Sequence, residues 1–180
     1  MFGEKVSVIM PTYKRDRSFM ETALESLLIQ SYEDLEIVIV DDSPADYELR
    51  SEVEEYIKSI EDKNIVYVKN KVNMGGALAR NEGIKKATGK YITFLDDDDK
   101  YLPDKVLNQV QYMESGDYDM SLSNMLIYNT KGELIDVRKH EDISQYNNKE
   151  LLVYHLKRHL TGTPTFMYKA EKLRKIGGFD

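Results

Sequence analysis

The chain has 180 residues and no cysteine, which excludes disulfides, thiolate metal sites and a cysteine nucleophile and fits a reducing, cytoplasmic setting. A net charge of −7, from 25 basic and 32 acidic side chains, argues against a nucleic-acid surface and poses a problem for any anionic ligand. The length suits one domain with a real core; no apolar run is long enough to cross a bilayer, and no basic stretch followed by an apolar block marks a secretory signal.

Lys5 to Met10, K-V-S-V-I-M, is a β-branched apolar run that reads as a buried parallel strand stopping at Pro11, with a loop from Pro11 to Arg17. From Ser18 the apolar positions Phe19, Ala23, Leu24, Leu27 and Leu28 recur at helical spacing. Ser18 and Glu21 read as a capping box, and the helix is expected to end near Gln30. Leu35 to Val40 is a second buried strand that runs into Asp41-Asp42-Ser43-Pro44. Tyr47 to Ile60 reads as a Glu-rich amphipathic helix and Ile65 to Lys69 as a third strand. Asn73 to Gly76 is a turn whose glycines permit positive φ or close backbone approach. A helix from Ala77 to Ala87 and a strand from Tyr91 to Leu95 follow.

Strands alternating with helices over the first half predict an α/β fold, a Rossmann-like, mostly parallel sheet with helices on both faces. Right-handed crossovers put the four strand carboxyl ends on one edge. The second half is more mixed. Pro103 to Glu114 reads as a helix, and Asp119 to Tyr128 with Leu134 to Arg138 as a hairpin turning at Gly132. His140 to Asn148 reads as loop and Lys149 to His159 as a helix. Thr165 to Tyr168 is an apolar stretch, and Ala170 to Lys175 a short helix.

Four consecutive aspartates, Asp96 to Asp99, stand where the fourth strand ends. Adjacent carboxylates repel unless a cation or hydrogen-bond donors hold them. Oxygen ligands alone favour a hard ion, Mg²⁺ or Mn²⁺, of the kind that arrives with phosphate-bearing ligands. The plainer alternative is a solvated acidic loop, or Asp99 capping the next helix. The edge argument brings the Pro11–Arg17 loop, the Asp41-Asp42 pair, the Asn73 turn and the tetrad into one pocket. There Tyr13 offers an aromatic plate for a base or sugar, and Asp41 or Asp42 an acceptor for a base N–H or ribose hydroxyl. Asn73, Arg80 and Asp96 are the other nucleotide-contacting candidates. Alternation along an extended backbone favours Asp96 and Asp98 sharing one ligand, with Asp98 bound directly to the metal. His140, His155 and His159 fit no zinc-protease spacing and read as surface or packing residues.

These blocks, V-S-V-I-M-P-T-Y-K-R, E-I-V-I-V-D-D-S, N-M-G-G-A-L-A-R-N-E-G-I-K-K-A-T-G-K-Y-I-T-F-L-D-D-D-D and I-G-G-F-D, resemble in order and spacing the family 2 glycosyltransferases with the GT-A fold. The resemblance implies transfer of a sugar from a nucleoside-diphosphate donor, by family habit a UDP-sugar, to a carbohydrate hydroxyl with inversion. It maps Pro11, Thr12, Tyr13 and Asp42, and less firmly Asp41, onto base and ribose contacts. The family's D-x-D falls on Asp96-Asp97-Asp98, with Asp97 beside the ribose or diphosphate and Asp98 on Mn²⁺ or Mg²⁺. It also implies residues 1–102 as a donor half and 103–180 as part of an acceptor half. The family's catalytic base is expected beyond Asp180, together with any peripheral membrane contact. Two other readings are a donor-binding module without turnover and a sugar-phosphate nucleotidyltransferase, although Pro11 to Arg17 holds no glycine for a triphosphate cradle. A phosphoacceptor receiver would want its acidic pair after the first strand, where Pro-Thr-Tyr stands instead.

Overall fold

The computed structural model describes residues 3–61, 64–139, 142–158 and 162–180; His140 and His159 lie outside the described residues. Its strands are β1 (Val6–Thr12), β2 (Leu35–Asp41), β3 (Ile65–Lys69), β4 (Tyr91–Phe94), β5 (Met120–Leu122), β6 (Met125–Tyr128), β7 (Leu134–Arg138) and β8 (Phe166–Lys169). Its helices are α1 (Arg17–Leu28), α2 (Arg50–Ser59), α3 (Gly76–Lys86), α4 (Lys105–Gly116), α5 (Asn148–Arg158) and α6 (Ala170–Lys175). A six-stranded sheet runs in the order β3-β2-β1-β4-β8-β5, and β6 pairs with β7 in a separate hairpin. β1 to β4 are parallel, and β8 is antiparallel to both β4 and β5. The α/β expectation holds, including the mixed C-terminal part with its hairpin.

Alternation along the buried strands feeds two cores. Val6, Val8 and Met10 of β1 and Leu35, Ile37 and Ile39 of β2 face one layer, packed with Met20, Leu24 and Leu27 of α1, Val53 and Ile57 of α2, and Val106 and Val110 of α4. Ile9, Val38, Val40, Ile92 and Phe94 face the other, against Ala79 and Ile84 of α3 and Ala170 and Leu173 of α6. Strands buried on both faces are continuous apolar runs for this reason. α3 lies so close to β1 that a Cβ at Gly83 would stand 2.3 Å from Ile9 Cγ2. Gly83→Ala is expected to destabilise the fold by about 1–3 kcal/mol in urea titrations, and Ile9→Ala in the same chain to recover part of that loss.

Several local expectations are corrected. β1 does not stop at Pro11, which pairs with Val40 in the ladder to β2. In β1 the odd-numbered backbone groups face β4, as Ile9 does in accepting from Leu95 N–H, and the pairing with β4 ends at Ile9. The N–H that Pro11 lacks therefore has no ladder partner to lose. α1 is capped by Asp16, not Ser18: the Asp16 carboxylate accepts from Ser18 N–H at 2.9 Å, and Glu21 pairs with Arg17 instead. Asp119 to Tyr128 is not one strand, because Ser123 N–H donates to Thr165 C=O and the chain leaves β8 there to form β6. α2 starts at Arg50 and α4 at Lys105, each later than the apolar pattern suggested.

At the edge opposite the acidic tetrad, Glu36 ties the α3–β4 turn to the sheet. Its carboxylate accepts from Ser7 Oγ at 2.5 Å and from Thr88 N–H and Oγ1, both at 2.8 Å. Burial alone would raise its pKa, but these hydrogen bonds outweigh it and leave the pKa lowered. The stabilisation this brings is present at neutral pH and lost as pH falls through the lowered folded value.

Candidate active site

The strand order reverses at β1. The chain steps outward from β1 to β2 and β3, then crosses to β4 on the other side of β1, and such a switch point opens a crevice at the strand carboxyl ends. A cleft of about 570 Å³ lies there. Pro11, Thr12, Tyr13 and Arg15 line it from the end of β1 and its loop, Asp42 from β2, and Asn73, Gly75 and Gly76 from the turn before α3. Ala79 and Arg80 of α3 and Asp96, Asp97 and Asp98 after β4 complete the wall. The structure thus brings Asp42 and Asp98, 56 positions apart in sequence, onto one cavity.

The two aspartates ending β2 part company because alternation sends them to opposite faces. Asp42 turns toward α3, where its carboxylate accepts from Asn70 Nδ2 at 2.7 Å, Met74 N–H at 3.0 Å and Gly75 N–H at 2.8 Å. Gly75 reaches this position at φ 85, the left-handed conformation that favours glycine. A carboxylate offers about four acceptor sites, so three protein donors leave room for roughly one from a ligand. Asp41 faces α2, where it is 1% exposed and accepts from Arg50 Nε at 2.8 Å, Tyr67 Oη at 2.6 Å and Ser43 N–H at 2.9 Å. Asp41 does not line the cleft; its carboxylate is a buried ion-pair partner, and burial together with that carboxylate pushes the Tyr67 phenol up.

The tetrad is not extended. Asp99 N–H donates to Asp96 C=O at 3.0 Å, closing a turn, so the expected alternation does not apply. Asp96 pairs with Arg80. Asp97 and Asp98 instead share Arg15, which donates from Nε to Asp97 at 3.1 Å and from Nη2 to Asp98 at 3.0 Å. Asp97 also accepts from Thr12 Oγ1 at 2.8 Å. Burial raises the Asp97 pKa, against the pull of Thr12 and Arg15. Asp99 borders a smaller hollow with Ser18, Phe19 and Thr22, and its pKa is raised by burial and then by Asp96, Asp98 and Asp97. Arg15 was not singled out from the sequence; the signal was available, as a cation on the same loop that must meet four adjacent carboxylates.

Arg80 has one further contact. Its guanidinium carbon lies 5.9 Å from the Phe179 ring centroid, while its buried Nε has no hydrogen-bond partner among the described residues. The neighbouring Asn81 clamps Phe179 through the backbone, accepting from its N–H at 2.9 Å and donating to its C=O at 2.7 Å. Phe179 also meets Phe94 edge to face at 5.1 Å. The Gly177-Gly178 segment therefore delivers Phe179 beside Arg80, outside the cleft lining itself.

Among the described residues, no group of three or more histidine, aspartate or glutamate side chains forms a ready metal cage. The donor set nonetheless fits Mg²⁺ or Mn²⁺, because such ions are bound by one or two carboxylates together with substrate phosphates. Asp98, 54% exposed at its side chain, and Asp96, 31% exposed, are the carboxylates open to such an ion. Asp42, Asp96, Asp97 and Asp98 set four negative charges around the cleft against two from Arg15 and Arg80. An uncompensated diphosphate would meet net repulsion there.

The fold is of the GT-A type. A sequence model of glycosyl transferase family 2 matches residues 7–177, and the chain belongs to that family. It is 34% identical over 172 residues to an uncharacterized glycosyltransferase of Methanocaldococcus jannaschii, covering 95% of this chain and 58% of that one. Over 124 residues it is 39% identical to WfaP of Escherichia coli, a UDP-Glc:alpha-D-GlcNAc-diphosphoundecaprenol beta-1,3-glucosyltransferase, covering 69% of this chain and 47% of WfaP. S. aureus TarS 1-349 in complex with UDP superposes with a TM-score of 0.69 at 25% identity, over 96% of this chain and 48% of TarS. The mannosyltransferase PcManGT from Pyrobaculum calidifontis, solved with GDP-Man and Mn²⁺, shares the fold at a TM-score of 0.70 and 22% identity, over 98% of this chain and 48% of its own. The chain spans about half the length of each of these relatives. No described helix is long and apolar enough to cross a membrane.

Proposed function

We propose that this chain forms the donor site of an inverting, metal-assisted glycosyltransferase that uses a nucleoside-diphosphate sugar, with UDP as its nucleotide. The observation that carries the reading is the convergence of Asp42, the Asn73–Gly76 turn, Arg80 and Asp96 to Asp98 on one cleft at the switch point. Residues 1–102 supply that cleft, and 103–180 begin the side on which a carbohydrate acceptor docks. Tyr13, 42% exposed at the mouth, stacks on the base. The lone pair left on Asp42 takes a ribose hydroxyl or base N–H, while Pro11, Thr12 and Asn73 shape that end. Asp97 backs the ribose or diphosphate, and Asp96 and Asp98 are the ligands for Mn²⁺ or Mg²⁺. When bound, the cation supplies the positive charge that the cleft lacks against a departing diphosphate.

In the reaction, an acceptor hydroxyl attacks the anomeric carbon from the face opposite the nucleotide. The new C–O bond forms as the bond to the diphosphate breaks, and the hydroxyl proton passes to a base. None of the cleft carboxylates is assigned as that base, because Asp42, Asp96, Asp97 and Asp98 are given to the nucleotide and the metal.

Calorimetric titration tests the reading. UDP is expected to bind only with Mn²⁺ or Mg²⁺ present, and more tightly than UTP. A preference for the triphosphate would favour a nucleotidyltransferase instead, and UDP binding that needs no metal would overturn the metal-assisted part of the reading.

A further inference from the structure

Arg15 is a cation in the cleft to which the donor-site reading gives no task. Its guanidinium spans two acids, with Nε on Asp97 at 3.1 Å and Nη2 on Asp98 at 3.0 Å. Its carbon also lies 4.9 Å from the centroid of the Phe19 ring, on the first turn of α1. The preceding residue is tied to the β2 end of the cleft: Lys14 sits at φ 50 and its N–H donates to Ser43 Oγ at 2.9 Å.

The two ends of the bridge differ in kind. The Asp97 side chain is 9% exposed and also bound by Thr12, whereas that of Asp98 is 54% exposed. A water-exposed ion pair contributes little, and a half-buried one with a second hydrogen bond contributes more. Arg15 is thus anchored at Asp97 and readily released at Asp98. Asp98 is the carboxylate most open to a divalent ion, and Arg15 already occupies one of its oxygens.

We propose that Arg15 is a substrate-contacting residue with two stations, a placement that rests on the donor-site reading above. In the empty cleft it covers Asp98 and competes with the divalent cation. When the donor binds, it yields Asp98 to the cation, pivots on Asp97 and turns its free N–H groups to the diphosphate. Cation and nucleotide then help one another onto the protein through the arginine, beyond any direct bond between them, because each gives Arg15 a reason to leave its first station.

Direct Mn²⁺ titration, read by the electron paramagnetic resonance of the free ion, tests this without any turnover. Arg15→Gln is expected to bind Mn²⁺ alone about tenfold more tightly than wild type, and UDP at saturating Mn²⁺ about tenfold more weakly. Arg15→Lys, a point charge without the fork, is expected to fall between them. Arg17→Gln removes the same charge from the exposed Arg17–Glu21 pair and should move both affinities by less than about twofold. Thermal melts confirm that each variant is folded. If wild type binds both ligands and Arg15→Gln matches it in either affinity, the two-station role is overturned while the donor site stands. If wild type binds neither, the donor site falls and this role with it.

Discussion

Asp98→Ala is expected to lower release of UDP from the donor, whether to an acceptor or to water, at saturating donor and metal by about a thousandfold or more, equivalent to about 4 kcal/mol of transition-state stabilisation. The same change should weaken Mn²⁺ binding in the presence of UDP by at least about tenfold. The fold should barely notice. Asp98 is largely exposed, its ion pair is with Arg15, and Arg15 keeps Asp97, so the stability change should stay within about 0.5 kcal/mol. That separation makes Asp98 a better probe than Asp96, whose loss would strand the Arg80 guanidinium in a half-buried position. The checks are UDP release with and without acceptor, Mn²⁺ titration, and a melting curve on the same sample. Turnover within tenfold of wild type would mean that the metal-assisted assignment of this carboxylate is wrong.

The largest effect on stability is expected at Asp41. Asp41→Ala leaves Arg50, itself 8% exposed, without the carboxylate that its Nε donates to, and also strips a partner from Tyr67. Removing one member of a buried ion pair costs about 3–5 kcal/mol, because the surviving charge has neither water nor counter-ion. Arg50 retains bonds to the carbonyls of Asp41 and Asn70, which soften the loss without replacing the charge. Urea titration should register the loss, while the UDP affinity of the molecules that remain folded should change by less than about threefold. An Asp41→Ala protein of normal stability that no longer takes UDP would return this residue to the ligand.

The fate of Asp41 was readable from the sequence, though only by carrying alternation one residue past the apolar run. Ile37, Ile39 and Asp41 lie on one face of β2, toward α2, and Val38, Val40 and Asp42 do not. What the apolar patterns made visible was the set of buried strands and the shared edge, because strands covered on both faces are written as unbroken apolar runs. Three kinds of feature escaped. Pro11 looked like a stop because the ladder on its N–H side ends at Ile9, a fact of tertiary register rather than of composition. The tetrad looked extended because the hydrogen bond that folds it, from Asp99 to Asp96, leaves no mark on residue type. β8 joined the main sheet because β4 was left with an open edge, which the order of elements alone does not reveal.

Gly178 stands at φ 84 with its α-carbon so close to Asn81 that a Cβ would meet Oδ1 at 2.2 Å. A side chain there would be strained and would press on the amide of Asn81 that holds Phe179 against Phe94 and Arg80. The Phe179 ring in turn lies beside the guanidinium that pairs with Asp96, so a side chain added at Gly178 is expected to disturb the cleft wall without touching any cleft residue directly.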